Sequence, residues 1–190
     1  KSATERCLPD RWEFDWPGSI FRGYDVVTNE GFFALCKTAG FPMGHYIRIL
    51  SPSETVPSLA RIRTALSSNA LPGRIQVEAG PDEQWTQISV VHESGEVVAD
   101  IERNSGSEGD LVAEEIEEFR EEIEDCEPAS AVAWLSDYLP NVKTIYAFQL
   151  LDGTEADQGW EILGAVKNSI HEQVGGIIQA DHEGFTEEHG

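Results

Sequence analysis

The chain has 190 residues, 40% of them hydrophobic and 25% charged, which suits one ordinary globular domain and argues against global disorder. Thirty-five acidic residues against 13 basic leave a formal net charge of −22. A field of that sign repels nucleic acid and anionic membrane surfaces, which are normally met by Lys and Arg patches, but suits a basic partner, a cation or plain solubility.

The excess charge is unevenly spread. Residues 1–42 carry five basic and six acidic side chains together with eight aromatics, whereas residues 43–190 carry eight basic and 29 acidic. Trp12-Glu-Phe-Asp-Trp16 alternates like a strand before Pro17-Gly18. Two readings stay open for this part: an aromatic-rich amino-terminal extension packed on the domain, or a non-native start ahead of Met43, the only methionine. Residues 43–190 are expected to form a single domain. Lysines are few (Lys1, Lys37, Lys143 and Lys167), a bias that a high-salt proteome or a binding surface would each produce.

From Met43 the pattern becomes regular. His45 to Leu50 reads as a strand ended by Ser51-Pro52. Pro57 suits the first turn of a helix running to about Ser68, with Val56, Leu59, Ile62 and Leu66 on one side. Arg74 to Glu78 alternates as a short strand. Trp85–His92 and Glu96–Arg103 form a hairpin across Glu93-Ser94-Gly95, with Val97, Ala99 and Ile101 on one face and Glu96, Val98, Asp100 and Glu102 on the other. One packed and one wet face is the mark of an antiparallel sheet.

A polar loop over Asn104–Gly109 leads to an acidic helix capped by Ser107 or Asp110. Val112, Ile116, Phe119, Ile123 and Cys126 form its apolar stripe. Its outer face carries Glu114, Glu115, Glu117, Glu118, Glu121, Glu122, Glu124 and Asp125, relieved by Arg120 alone. After Glu127-Pro128 a short helix turns Val132, Leu135 and Leu139 inward. Thr144–Leu151 reads as a central strand, Ala156–Val174 as a further amphipathic helix, and Ile177–Asp181 as a last strand before a polar tail. The order predicts an α+β fold: a mixed, mainly antiparallel sheet packed by about three amphipathic helices.

Few constellations offer chemistry. The nucleotide-binding, metalloprotease and hydrolase signatures are missing. Asn104, Glu108, Gly109 and Glu115 fall at EF-hand positions one, five, six and twelve, but Gly106 at position three has no ligand, and the loop follows a strand rather than a helix. His92 and Asp100 are a conceivable acid–base pair without a nucleophile. His171, Asp181, His182 and Glu183 are the densest group of polar side chains with catalytic or ligating capacity, without the spacing of a zinc site. Cys7, Cys36 and Cys126 match no disulfide framework, so free thiols in the cytoplasm are expected, with Cys126 a buried, inert one. No span, cofactor or metal is expected.

The expectation is a non-enzymatic acidic protein that binds a basic protein partner through Glu114, Glu117, Glu118, Glu121, Glu122 and Asp125. Such physics is shared, by analogy alone, with immunity proteins that neutralise cationic toxins. The alternative is a metal-assisted hydrolase built on His171, Asp181, His182 and Glu183. Charge runs are most often merely solvated faces, and both readings are weighed against that.

Overall fold

A computed structural model of the chain describes residues 45–124, 126–181 and 183–186. The amino-terminal segment 1–42, with both its readings, lies outside the described residues, as do Asp125 and His182. Among the described residues seven strands form one sheet: β1 (His45–Ser51), β2 (Gly73–Ala79), β3 (Gln87–His92), β4 (Val97–Ser105), β5 (Thr144–Leu150), β6 (Ile177–Ala180) and β7 (Gly184–Thr186). Four α-helices accompany them among the same residues: α1 (Leu59–Ser68), α2 (Leu111–Ile123), α3 (Ala129–Tyr138) and α4 (Gly159–Val174). The strands lie in the order β2-β3-β4-β5-β1-β6-β7, and every neighbouring pair is antiparallel. The α+β class holds, with β5 at the centre as its apolar sequence implies.

Side-chain alternation divides the molecule into three layers. On β1, Ile49 joins Tyr146, Phe148, Ile88, Ile101 and Ile178 beneath α1 and α4. Leu50, one residue on, points the other way and joins Ile145, Ile177 and Phe185 beneath α2 and α3. Helices on both faces bury a strand on both sides, which is why β5 reads as nearly continuous apolar sequence. The stripe of α2 is buried at Val112, Ile116, Phe119 and Ile123. At about 1.5–3 kcal/mol for each large side chain, that burial outweighs like-charge repulsion of a few tenths of a kcal/mol per i,i+4 pair.

Several local expectations are corrected. Val98 was expected on the wet face of the hairpin, but it is fully buried in the same cluster as Ala99. A register shift between Val90 and Val91 places an extra residue in β4 and turns Val98 inward. Pro57 precedes α1, whose cap residue is Ser58; the Pro57 carbonyl instead accepts a hydrogen bond from Trp85 Nε1 at 2.9 Å. The helix expected from Ala156 begins at Gly159, after a 3₁₀ turn over Asp152–Glu155. The polar tail contains β7, too short to show a period, which returns on β6 and buries Phe185 against Phe119 with ring centroids 5.5 Å apart. Cys126 ends the α2 stripe as expected, but it is disulfide-bonded rather than a free thiol. Cysteine spacing alone does not show such pairing.

The turn from α4 into β6 depends on Gly176. Its φ is +113°, a region that L side chains rarely adopt, and a Cβ there would collide with the Leu50 carbonyl oxygen on the adjacent strand. Replacement of Gly176 by Ala is expected to cost about 2 kcal/mol or more, read as a lower urea midpoint at unchanged slope. Gly95, which also has positive φ but open space around it, is expected to tolerate Ala at about 1 kcal/mol.

Candidate functional site

Arg48 occupies the α2 face of β1, between the strand's apolar residues. Its guanidinium donates from Nε to Glu115 Oε1 at 2.6 Å, and from Nη1 to Asp181 Oδ1 at 2.7 Å and Gln179 Oε1 at 2.8 Å. The Tyr46 N–H completes the shell by donating to Asp181 Oδ2 at 2.9 Å. The guanidinium lies 5.1 Å from the Tyr46 ring centroid and 5.7 Å from that of Phe119, within cation–π range of both. The side chain of Arg48 is 17% exposed and those of Glu115 and Asp181 are each 24% exposed. One cation therefore ties helix α2 to the far end of β6.

The two carboxylates respond differently. Burial pushes Glu115 up, and Glu118 and Asp181 add repulsion; Arg48 opposes this without cancelling it. Burial also works to raise Asp181, but the hydrogen bonds from Arg48 and the Tyr46 N–H, with the charges of Arg48 and His45, hold it below its usual value. Glu122 is raised by partial burial first, then by Glu118 and Asp181, against the pull of Arg48. Three carboxyl groups thus share the field of one guanidinium.

The strand registers extend this centre across the sheet. Gln76, Ser89, Asp100, Gln149, Tyr46 and Asp181 face one another in a row over six strands, and Gln87, Glu102, Ala147, Arg48 and Gln179 form the next row. Ser89 donates to Asp100 at 2.6 Å within the first row. Where the second row meets the start of α2, a cavity of about 280 Å³ is bounded by Gln87, Glu102, Arg103, Glu108 and Leu111. Leu111 is 63% exposed, the single exposed large hydrophobic side chain among the described residues.

The residues picked out by sequence are distributed over this frame. Glu114, Glu117, Glu118, Glu121 and Glu122 are exposed on α2, and Arg120 pairs with Glu117 at 2.9 Å. Glu115, expected on the outer face with them, is turned inward by Arg48 and half-buried. His171 lies on α4, on the opposite side of the sheet, with Nε2 3.0 Å from the Gly176 carbonyl oxygen at the start of β6. Asp181 follows the other end of that strand, on the order of 15 Å along it, and its carboxylate is engaged on the α2 face. Those two side chains are not brought together. Glu183 is exposed in the β6–β7 turn, its N–H bonded to the Ala180 carbonyl at 3.1 Å. His182 lies outside the described residues, among which no group of three or more His, Cys, Asp and Glu is placed to hold a metal ion.

The hairpin pair is also separated: Asp100 stands opposite Ser89, while His92 Nδ1 accepts from the Ser94 N–H at 3.1 Å. Among the described residues no helix is long and apolar enough to cross a membrane. Comparison of the chain with protein-family models, curated proteins and solved structures gives no match. What the chain can do is therefore read from its own residues. Arg48 and Gln179 went unmarked by sequence, although a lone Arg inside Tyr-Ile-Arg-Ile-Leu is a signal that something must neutralise it.

Replacing Arg48 by Met leaves Glu115 and Asp181 half-buried without a cation and is expected to cost about 3 kcal/mol in urea unfolding. Adding Glu115→Gln and Asp181→Asn to that variant is expected to recover more than half of the loss. The pH response follows from the signs. Glu115, raised on folding, favours the folded state when protonated, so its contribution grows as pH falls from neutral toward 4.5. Asp181, lowered on folding, stabilises above about 3.8 and loses that contribution below it. Melting temperature is expected to rise modestly from pH 7 to pH 5 and to fall below pH 4, with a shallower rise in Glu115→Gln.

Proposed function

We propose that this protein is a non-enzymatic acidic binding module that docks a basic protein partner on the outer face of α2 and the polar sheet rows beside it. One observation carries this reading. Arg120, on the helix itself, pairs with Glu117, and Arg48, on the strand beneath it, is committed internally to Glu115 and Asp181, which leaves Glu114, Glu118 and Glu121 on the exposed side without an ion pair among the described residues. A surface of uncompensated charge accelerates encounter with an oppositely charged partner and fixes its orientation. Leu111 and its cavity supply what charge lacks. An exposed apolar side chain beside a recess suits the aliphatic stem of a partner's Lys or Arg, with Glu102 on the rim for its charged head, since Glu108 there already pairs with Arg103 at 3.3 Å. Asp125, included in the same surface by sequence, belongs to the proposal on charge alone.

The test separates a docking face from mere net charge. Association of an Arg- and Lys-rich peptide is measured by surface plasmon resonance at several salt concentrations. Reversal of Glu117, Glu118 and Glu121 to Lys is expected to slow association about tenfold at low salt and to flatten its salt dependence. Reversal of Asp152, Glu155 and Asp157, equally exposed and equal in charge but on the loop before α4, is expected to leave most of the rate intact. Equal loss from both triple variants would reduce the effect to bulk charge and end the proposal.

A further inference from the structure

Among the described residues, strand β2 is the outermost strand on its side of the sheet and pairs with β3 alone. Among the described residues, no backbone hydrogen bond beyond that pairing reaches Arg74–Glu78. An edge strand keeps N–H and C=O groups of alternate residues unpaired, a template for another strand. The opposite edge is the three-residue β7, whereas β2 has seven residues.

The sequence of this edge is complementary to itself. Arg74-Ile75-Gln76-Val77-Glu78 inverts its charge about Gln76. In an antiparallel pairing of two copies with Gln76 opposite Gln76, Arg74 faces Glu78 of the partner subunit, and Ile75 faces Val77 of the partner subunit. Directly opposite side chains lie about 5 Å apart, close enough for both kinds of pair to form. Shifting the register by two residues in either direction removes both ionic pairs. A parallel pairing sets Arg against Arg and Glu against Glu. Charge therefore selects one direction and one register.

Placement within the chain agrees. Arg74, Gln76 and Glu78 are exposed on one face, and neither charged residue has an ion pair among the described residues. Four residues apart on a strand, Arg74 and Glu78 are separated by about 13 Å and cannot satisfy each other. Ile75 is buried and Val77 half-buried on the α1 side, so opposing Ile–Val pairs would prolong the apolar layer of the first core across the seam. The irregularity between Val77 and Ala79 ends the regular stretch just after the last charged residue. Gln76, at the centre, meets its own copy, which a side-chain amide with both donors and an acceptor can do.

We propose that β2 is a self-association edge, through which two copies of this chain join antiparallel into one continuous sheet about a two-fold axis. The interface is isologous, and its two Arg–Glu pairs offset the repulsion between two acidic bodies. That repulsion is long-ranged and screened by salt, so association strengthens as salt rises from low to physiological concentration.

Sedimentation equilibrium at physiological salt reads the outcome. The mass of the full chain is expected to climb with concentration from 21.0 kDa toward twice that value. Arg74→Glu and Glu78→Arg each set like charges against each other twice, and each is expected to weaken the dimer about tenfold or more. The double variant R74E/E78R restores both pairs with their signs exchanged and is expected to return close to the original affinity. Circular dichroism checks that each variant is folded, and slower hydrogen exchange in β2 at high concentration locates the contact. A monomer at all concentrations overturns the proposal. So does a double variant as weak as the singles, or a dimer whose β2 amides gain no protection.

Discussion

The attachment of α2 to the sheet rests on Arg48. A guanidinium held on the inner face of a strand must be neutralised, and here Glu115 from α2 and Asp181 from the end of β6 are drawn to the same point. Those two residues are distant in sequence and belong to elements that otherwise meet through apolar contacts. The ion pairs fix how far α2 can rotate: Glu115 faces the sheet, and the remaining glutamates are carried outward with it. The edge-to-face contact of Phe119 with Phe185 acts in the same direction from the apolar side.

This geometry separates two uses of acidity. The carboxylates around Arg48 are structural, partly buried and shifted in opposite directions by the balance of desolvation against the guanidinium. The other glutamates of the helix are exposed and, among the described residues, lack ion pairs apart from the Glu117–Arg120 pair. A surface of that kind is maintained against its own repulsion by the burial of Val112, Ile116, Phe119 and Ile123. The stabilising stripe and the charged face therefore belong together: without the first, the second would melt the helix. The polar sheet rows beside α2 extend the same character, since their registers set Asp100 and Glu102 on the face that carries Arg48.

Much of the fold was legible because periodicity carries it. The stripe of α2, the hairpin of β3 and β4, the central β5 and the inward side of α4 all follow from apolar spacing that a single chain displays openly. Val98 escaped because a bulge shifts side-chain parity without changing composition. Strand β7 escaped because three residues cannot show a period, and the start of α4 because Ala156 is extended and Gln158 left-handed, backbone states that side-chain spacing does not display. The site was less legible than the fold. His171 and Asp181 are close in the chain order of elements, yet a strand crossing the sheet puts them on opposite faces.

The sequence by itself determined most of the secondary elements, the α+β class and the outward acidity of α2, since each depends on local spacing and composition. The tertiary structure decided which glutamate turns inward, which strands become edges and which polar residues line up across the sheet. Those outcomes depend on strand order and register, which arise from contacts between residues far apart in the chain. Arg48 shows the difference most directly. Its position in an apolar strand announces a need for a counter-charge, but only the packing of α2 and β6 on the same face names Glu115 and Asp181 as the residues that meet it.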